Sequence, residues 1–217
     1  LAKKMDVLLV DKTGTFTLGR PRVKEVVAFD GVSKEEVLRL AAVAEKYSEH
    51  PLARSVMTHA KECGIQVPDP HEFKIEVGMG VTARLDHKKL LVGKSEFLQS
   101  KGAAVCEDVE RAVAEQTDRG RTLILVANDC NPIGLVAIAD EIRPEPHNAI
   151  AALKATGLKN ITMLTGDNHS VAQAVAAEIG VDDFQAELLP EQKLQFVEKL
   201  QKQGKIVGMI GDGINDA

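Results

Sequence analysis

Three aspartates close short apolar runs at widely separated points of the chain. Val7-Leu8-Leu9-Val10 leads into Asp11, Ile161-Thr162-Met163-Leu164 into Thr165-Gly166-Asp167, and Ile206-Val207-Gly208-Met209-Ile210 into Gly211-Asp212-Gly213. One carboxylate in such a place is ordinarily a turn or capping residue. Three of them, each with Gly and Thr or Asn close by, converge if the runs are strands of one open α/β sheet, because working groups there gather beyond the carboxyl ends. Carboxylates clustered at glycine turns are hard oxygen donors. They suit Mg²⁺, which takes few protein oxygens and keeps waters for phosphate.

To bring these aspartates together, the strands must be parallel and covered on both faces, and the flanking sequence supplies the cover. Continuous apolar strands are expected where helices pack on each side. Ala149, Ile150, Leu153 and Lys154 precede the second run at helical spacing, and Leu194, Val197 and Leu200 precede the third. Between them Val171, Val175, Ala176 and Ile179 form an apolar stripe that Gly180 stops.

The middle of the chain has another texture. Ser33 reads as the N-cap of a helix through Leu38 and Val43, and Pro51 as the start of a second helix reaching about Cys63. Strand-like segments follow at Phe73 to Val77, Val81 to Leu85 and Leu90 to Val92, then a helix near Val105 to Gln116. Leu123 to Val126 and Ile133 to Ile138, either side of Asn128-Asp129-Cys130-Asn131-Pro132, read as a β-hairpin. The expected fold class is α/β: a Rossmannoid domain built from residues 1–22 and 139–217, with an α+β domain inserted over 23–138.

Composition narrows the function. A chain of 217 residues has room for one large domain or two small ones, and 44% hydrophobic with 27% charged residues excludes intrinsic disorder. With 27 Lys+Arg against 32 Asp+Glu the formal charge is -5, which argues against a general nucleic-acid surface. Aromatics are too few for a base-stacking platform. No apolar run reaches the roughly 20 residues that span a bilayer, and Leu1-Ala2-Lys3-Lys4 is no signal peptide. Cys63, Cys106 and Cys130 are scattered, which fits a reducing compartment without a disulfide framework.

Asp11-Lys12-Thr13-Gly14-Thr15-Phe16-Thr17 resembles the phosphorylation signature of P-type ATPases, with Phe16 in place of the more usual Leu. Thr165-Gly166-Asp167 and Gly211-Asp212-Gly213-Ile214-Asn215-Asp216 resemble the two other motifs of their phosphorylation domain, in the same order and with similar separation. The resemblance implies a haloacid dehalogenase-like fold in which Asp11 takes the γ-phosphoryl group of Mg-ATP, splitting hydrolysis into two steps. It implies a catalytic set of Asp11, Lys12, Thr13, Thr165, Gly166, Asp167, Lys193 and Asn215. Mg²⁺ would be held by Asp11, the Thr13 carbonyl and Asp212, and Asp216 would orient the metal shell or Lys193. Lys193, in Leu189-Pro190-Glu191-Gln192-Lys193, would contact phosphoryl oxygens, and Thr165 and Asn215 would donate hydrogen bonds. Related phosphatases generally carry an acid two residues after the nucleophile. Thr13 cannot act as a general acid or base near neutral pH, so the phosphoenzyme is expected to persist until another element attacks it.

Ser48-Glu49-His50-Pro51-Leu52-Ala53 resembles the nucleotide-domain motif of heavy-metal-transporting P-type ATPases. The resemblance implies that His50 stacks on or orients adenine with Glu49 at its edge. Gly78-Met79-Gly80-Val81-Thr82-Ala83 matches G-x-G-x-x-A, but Val81, Ala83 and Leu85 alternate as a strand where a dinucleotide fingerprint needs a helix. Gly78 and Gly80 are expected instead to leave backbone room for the nucleotide. Lys94 stands where related proteins often have Asn. His59 and Cys63, four apart, could share a helix face, and Glu107-Asp108-Val109-Glu110 reads as a solvated helix face.

The chain thus resembles, over nearly its whole length, the cytoplasmic catalytic portion of a heavy-metal cation exporter. The implied partners are ATP, a metal cation bound in membrane helices absent here, and the actuator and transmembrane domains of the same protein. The segments Lys159 to Leu164 and Ala186 to Glu191 resemble zinc/cadmium/lead exporters more than copper exporters. A soluble haloacid dehalogenase-like phosphatase and a catalytically silent nucleotide-binding module remain open alternatives. The end at Ala217 falls within the last motif, so the phosphorylation domain is expected to be truncated there.

Overall fold

A computed structural model of the chain describes residues 5–29 and 31–211. The chain divides into two compact units, one from its two ends up to Arg20 and from Asp140, the other Pro21–Ala139.

In the first unit β1 (Val7–Asp11), β8 (Ile161–Leu164), β9 (Asp183–Gln185) and β10 (Val207–Ile210) form a parallel sheet in the order β10-β1-β8-β9. All five residues of β1 are buried, which a strand flanked by neighbours and covered on both faces requires. Alternate side chains part to opposite faces. Leu8 and Val10 join Ile161 and Met163 under α5 (Pro146–Ala155) and α6 (His169–Ile179). Val7, Leu9 and Leu164 pack with Phe196, Val197 and Leu200 of α7 (Pro190–Lys202). The predicted stripe of α6 is buried, the Asn168 side chain accepts from the Val171 N–H at 2.9 Å, and Gly180 ends the helix at φ 81°. The third apolar run departs from expectation. Among the described residues β10 is an end strand of the sheet, and Met209 and Ile210 are partly exposed instead of enclosed on both faces.

The second unit contains a sheet in the order β2-β7-β6-β5-β4-β3, antiparallel from β7 to β3. Its strands are β2 (Thr17–Ala28), β3 (Glu72–Glu76), β4 (Gly80–Leu85), β5 (Lys88–Gly93), β6 (Thr122–Asn128) and β7 (Asn131–Ile142). Both β2 and β7 run across the division between the units, so the chain passes from one to the other within strands. One face packs on α1 (Lys34–Glu45) and α2 (Pro51–Glu62), and the other on α3 (Ser95–Ser100) and α4 (Glu107–Asp118). Ser33 caps α1 by accepting from the Glu36 N–H at 3.1 Å, and Pro51 opens α2. The β6–β7 hairpin forms with Asp129 at φ 56°.

Candidate active site

Asp11 ends β1 with 3% of its surface exposed, and its strand partner there is Leu164, immediately before Thr165. Side-by-side parallel strands therefore bring the first two motifs to one edge of the sheet. Beyond Asp11 the chain makes a single wide turn, Lys12–Phe16, in which Thr13 is extended and Gly14 sits at φ 79°. That left-handed backbone favours glycine because a Cβ would crowd it. The turn folds back so that the Thr13 N–H donates to Asp11 Oδ2 at 3.1 Å.

Two lysines stand at the centre. Lys193, buried on the first turn of α7, ion-pairs with Asp11 Oδ1. Lys12, also buried, holds Asp167 Oδ2 at 2.8 Å. A buried carboxylate without a cation is costly, and these pairs offset that cost. Thr165 is 2% exposed and its Oγ1 accepts from the Asp167 N–H at 3.1 Å. This leaves its own hydroxyl proton free to be donated. A Cβ on Gly166 would meet the Leu188 carbonyl at 3.3 Å, and the Leu188 N–H in turn donates to the Thr165 carbonyl at 3.1 Å.

The predicted residues Asp11, Lys12, Thr13, Thr165, Gly166, Asp167 and Lys193 thus meet at one sheet edge. Asp212, Asn215 and Asp216 lie outside the described residues. Oxygen donors present at the centre, the Asp11 carboxylate and the Thr13 carbonyl, are of the hard kind that fits Mg²⁺.

Sequence reasoning missed the clasp on the loop after Asp11. Asp140 accepts from Thr17 Oγ1 at 2.5 Å and from the Arg20 N–H at 2.8 Å. Arg143 donates from Nη2 to the Gly14 carbonyl at 3.1 Å and from Nε to the Thr17 carbonyl at 3.2 Å. The signal available in sequence was the charged run Asp140-Glu141-Ile142-Arg143 closing an otherwise apolar strand.

The second unit encloses a cavity of about 280 Å³, close to the size of small-ligand clefts. Its walls are largely apolar, from Leu52, Ile75, Met79, Val81 and Ile124, with Glu45, Ser48, His50, Glu76 and Lys94 as polar groups. His50 is the N-cap of α2, its Nδ1 accepting from the Leu52 N–H at 3.2 Å. In the neutral ring that bond places the proton on Nε2. Gly78 and Gly80 line the cavity as well. Gly78 needs glycine for its φ of 75°, with open space around it. Gly80 needs it for another reason: a Cβ there would lie 2.5 Å from both the Phe97 ring and the Val92 carbonyl. Packing behind the sheet, not room for a ligand in front of it, excludes a side chain.

Glu49 is exposed and does not line the cavity, whereas Glu45, four residues earlier at the end of α1, does. Glu45 is 7% exposed, and burial pushes its carboxyl above the ordinary range, partly opposed by a hydrogen bond from Ser48. In sequence Glu45 continues the buried stripe Leu40 to Ala44, which was the clue to its position. The other singled-out groups are plainer. Cys63 Sγ and His59 Nε2 are 3.9 Å apart, but no group of three potential ligands assembles among the described residues. The carboxylates Glu107, Asp108 and Glu110 are exposed on α4.

Residues 5–217 match the family model of the haloacid dehalogenase-like hydrolases. Over all 217 residues the chain is 41% identical to a manganese-exporting P-type ATPase of Mycobacterium leprae and 39% to a zinc-exporting P-type ATPase of Mycobacterium marinum. It is 37% identical, over 216 residues, to a probable copper-exporting P-type ATPase of Mycobacterium tuberculosis. It spans 30% of the length of the first two relatives and 28% of the third. A crystal structure of a zinc-transporting PIB-type ATPase superposes on 99% of the chain with a TM-score of 0.79 at 33% identity, covering 34% of that protein. The catalytic CPx-ATPase domain CopB-B superposes on 99% of the chain with a TM-score of 0.70 at 31% identity, and the chain covers 74% of it. A fold held over nearly every residue, with the sheet-edge carboxylates in place, decides the assignment: the chain belongs to the haloacid dehalogenase-like hydrolases, as a catalytic domain of the heavy-metal P-type ATPases.

Proposed function

We propose that this chain binds ATP and takes its γ-phosphoryl group on Asp11, as the catalytic portion of a heavy-metal-exporting P-type ATPase. The observation that carries this reading is the buried Asp11 carboxylate ion-paired with Lys193 at the carboxyl end of β1. An Asp11 oxygen forms a bond to the γ-phosphorus while the bond from that phosphorus to the β,γ-bridging oxygen breaks, and ADP leaves with the electron pair. Two anions must approach, so the cation paired with Asp11 offsets their repulsion and can follow the charge onto the phosphoryl oxygens. The Lys12–Asp167 pair keeps a second positive charge beside the centre, and the Thr165 hydroxyl has its proton to donate to a phosphoryl oxygen. Asp11 and the Thr13 carbonyl would hold Mg²⁺, with Asp212 and Asp216 as the remaining proposed ligands. When bound, the ion neutralises charge on the transferring group. Thr13 supplies no acid or base, so the aspartyl phosphate is expected to be long-lived.

ATP would enter the cavity of the second unit, with its base between the apolar walls. His50 would present its Nε2–H and Glu45, rather than Glu49, would accept from the base. Gly78 and Gly80 would approach the ligand by their backbone. For the transported cation we favour the zinc/cadmium/lead class, from the segments Lys159 to Leu164 and Ala186 to Glu191. The similar relatives export manganese, zinc and copper, so manganese and copper are the competing cargoes. Among the described residues no helix is long and apolar enough to cross a membrane, and cation selection would belong to membrane helices of a longer protein. Its catalytic part would face the cytoplasm.

Incubating the chain with γ-labelled ATP and Mg²⁺ tests the reading. Acid-stable, hydroxylamine-sensitive label that Asp11→Asn abolishes is the expected result. Nucleotide binding with no label would overturn the catalytic role, and rapid turnover of small phosphoesters would point to a phosphatase instead.

A further inference from the structure

The cavity presents a difficulty to the ligand proposed for it. Two of its polar groups, Glu45 and Glu76, are carboxylates, and a nucleoside triphosphate is a polyanion. Glu76 ends β3 beside the turn that carries Gly78 and Met79 to the cavity rim, and its carbonyl accepts from the Met79 N–H at 3.0 Å. Its Oε1 lies 2.5 Å from Lys101 Nζ. That hydrogen-bonded cation holds the Glu76 carboxyl below its ordinary range, so it carries full negative charge at neutral pH.

The place of Lys101 is set by packing. It caps α3, its N–H donating to the carbonyls of Phe97 and Leu98, and its ammonium stands 5.5 Å from the centroid of the Phe97 ring. Phe97 is fully buried against Gly80 and Gly93, where a Cβ on either glycine would come within 3.0 Å of the ring. The same ring that excludes side chains at the cavity's glycine pair thus anchors the helix that delivers Lys101 to Glu76.

We propose that Lys101 is a positioning and charge-balancing residue of this cavity, which by pairing with Glu76 removes a rim carboxylate's repulsion of the ligand's phosphates. The inference rests on the reading of the cavity as an ATP site. The pair is partly exposed, with side-chain accessibilities of 28% and 30%, so solvent screens it and the effect is modest.

Calorimetric titration of the whole chain with ATP, ADP and adenosine tests it. Lys101→Met is expected to weaken ATP binding roughly three- to fivefold, ADP less, and uncharged adenosine not at all. The double variant Lys101→Met/Glu76→Gln is expected to restore ATP affinity, and added salt to shrink the loss in the single variant. Unchanged ATP affinity in Lys101→Met would overturn the inference. So would equal weakening of adenosine, the mark of a collapsed turn, or a double variant that stays weak. A wild-type chain that binds neither ATP nor adenosine would instead overturn the reading of the cavity, and this inference with it.

Discussion

Lys12 Nζ and Asp167 Oδ2 stand 2.8 Å apart, tying the turn that follows β1 to the turn that follows β8. The two residues are 155 positions apart in sequence, and only the parallel pairing of β1 with β8 makes them neighbours. The pair joins the loop carrying the proposed nucleophile to the loop carrying Thr165. Removing one partner leaves the other charge partly buried and alone. Lys12→Met is expected to cost about 2 kcal/mol of unfolding free energy, measured by urea denaturation. The double variant Lys12→Met/Asp167→Asn is expected to recover part of that cost; strict additivity would show that the pair contributes nothing.

Lys193 makes a different prediction because its partner is the proposed nucleophile. Lys193→Met is expected to lower phosphorylation by about 10²-fold, read as acid-stable label per unit time. Adenosine binding, assigned to residues of the cavity, is expected to be unchanged. Undiminished labelling would remove Lys193 from the reaction.

Asp140 accepts from Thr17 and Arg20 at the start of β2, directly after the turn that carries Thr13 and Gly14. Asp140→Ala is expected to destabilise the chain by about 2 kcal/mol and to raise amide hydrogen exchange at residues 14–20 selectively. Arg143→Lys replaces a two-pronged donor by a single point charge, so slower labelling with near-normal stability is expected. Exchange that rises uniformly along the chain would show that the clasp holds nothing in particular.

Glu45 gives a pH dependence whose sign follows from burial. Its carboxyl binds a proton more tightly folded than unfolded, so this group favours folding at low pH. That contribution is lost as pH rises from the ordinary carboxylate value through the raised one. Glu45→Gln is therefore expected to raise the Tm at neutral pH, with the gain shrinking toward pH 4.5, the unshifted value. A gain independent of pH would contradict the assignment.

Gly80→Ala is expected to cost about 3 kcal/mol, because the methyl would meet the Val92 backbone carbonyl as well as the Phe97 ring. Shrinking the ring by Phe97→Leu is not expected to rescue it, since the carbonyl remains. Full rescue would show that the ring alone forbids a side chain.

Much of this was legible because it is local. An apolar run ending in Asp, Ser33 before an amphipathic stretch and Gly180 after one each declare a structure within a few residues, where propensity and period act. What resisted reading is set by phase and packing. Glu45 and Glu49 are four apart, yet the first continues the buried face of α1 while the second lies in the exposed loop before Pro51. The motif resemblance named Glu49; the cavity wall carries Glu45, the last residue of α1. Gly80 was legible as an obligatory glycine, but its reason sits on the far side of the sheet in Phe97 and Val92.

By itself the sequence determined which residues could do chemistry at strand ends and the α/β pattern that gathers them, since residue type and spacing are written along the chain. Only the tertiary structure decided which charges pair. The partners Asp11 and Lys193, Lys12 and Asp167, Asp140 and Thr17, and Glu76 and Lys101 are separated by 25 to 182 residues. Coulombic and hydrogen-bond energies depend on distance in space, and that distance exists only once sheet order and helix packing have been set.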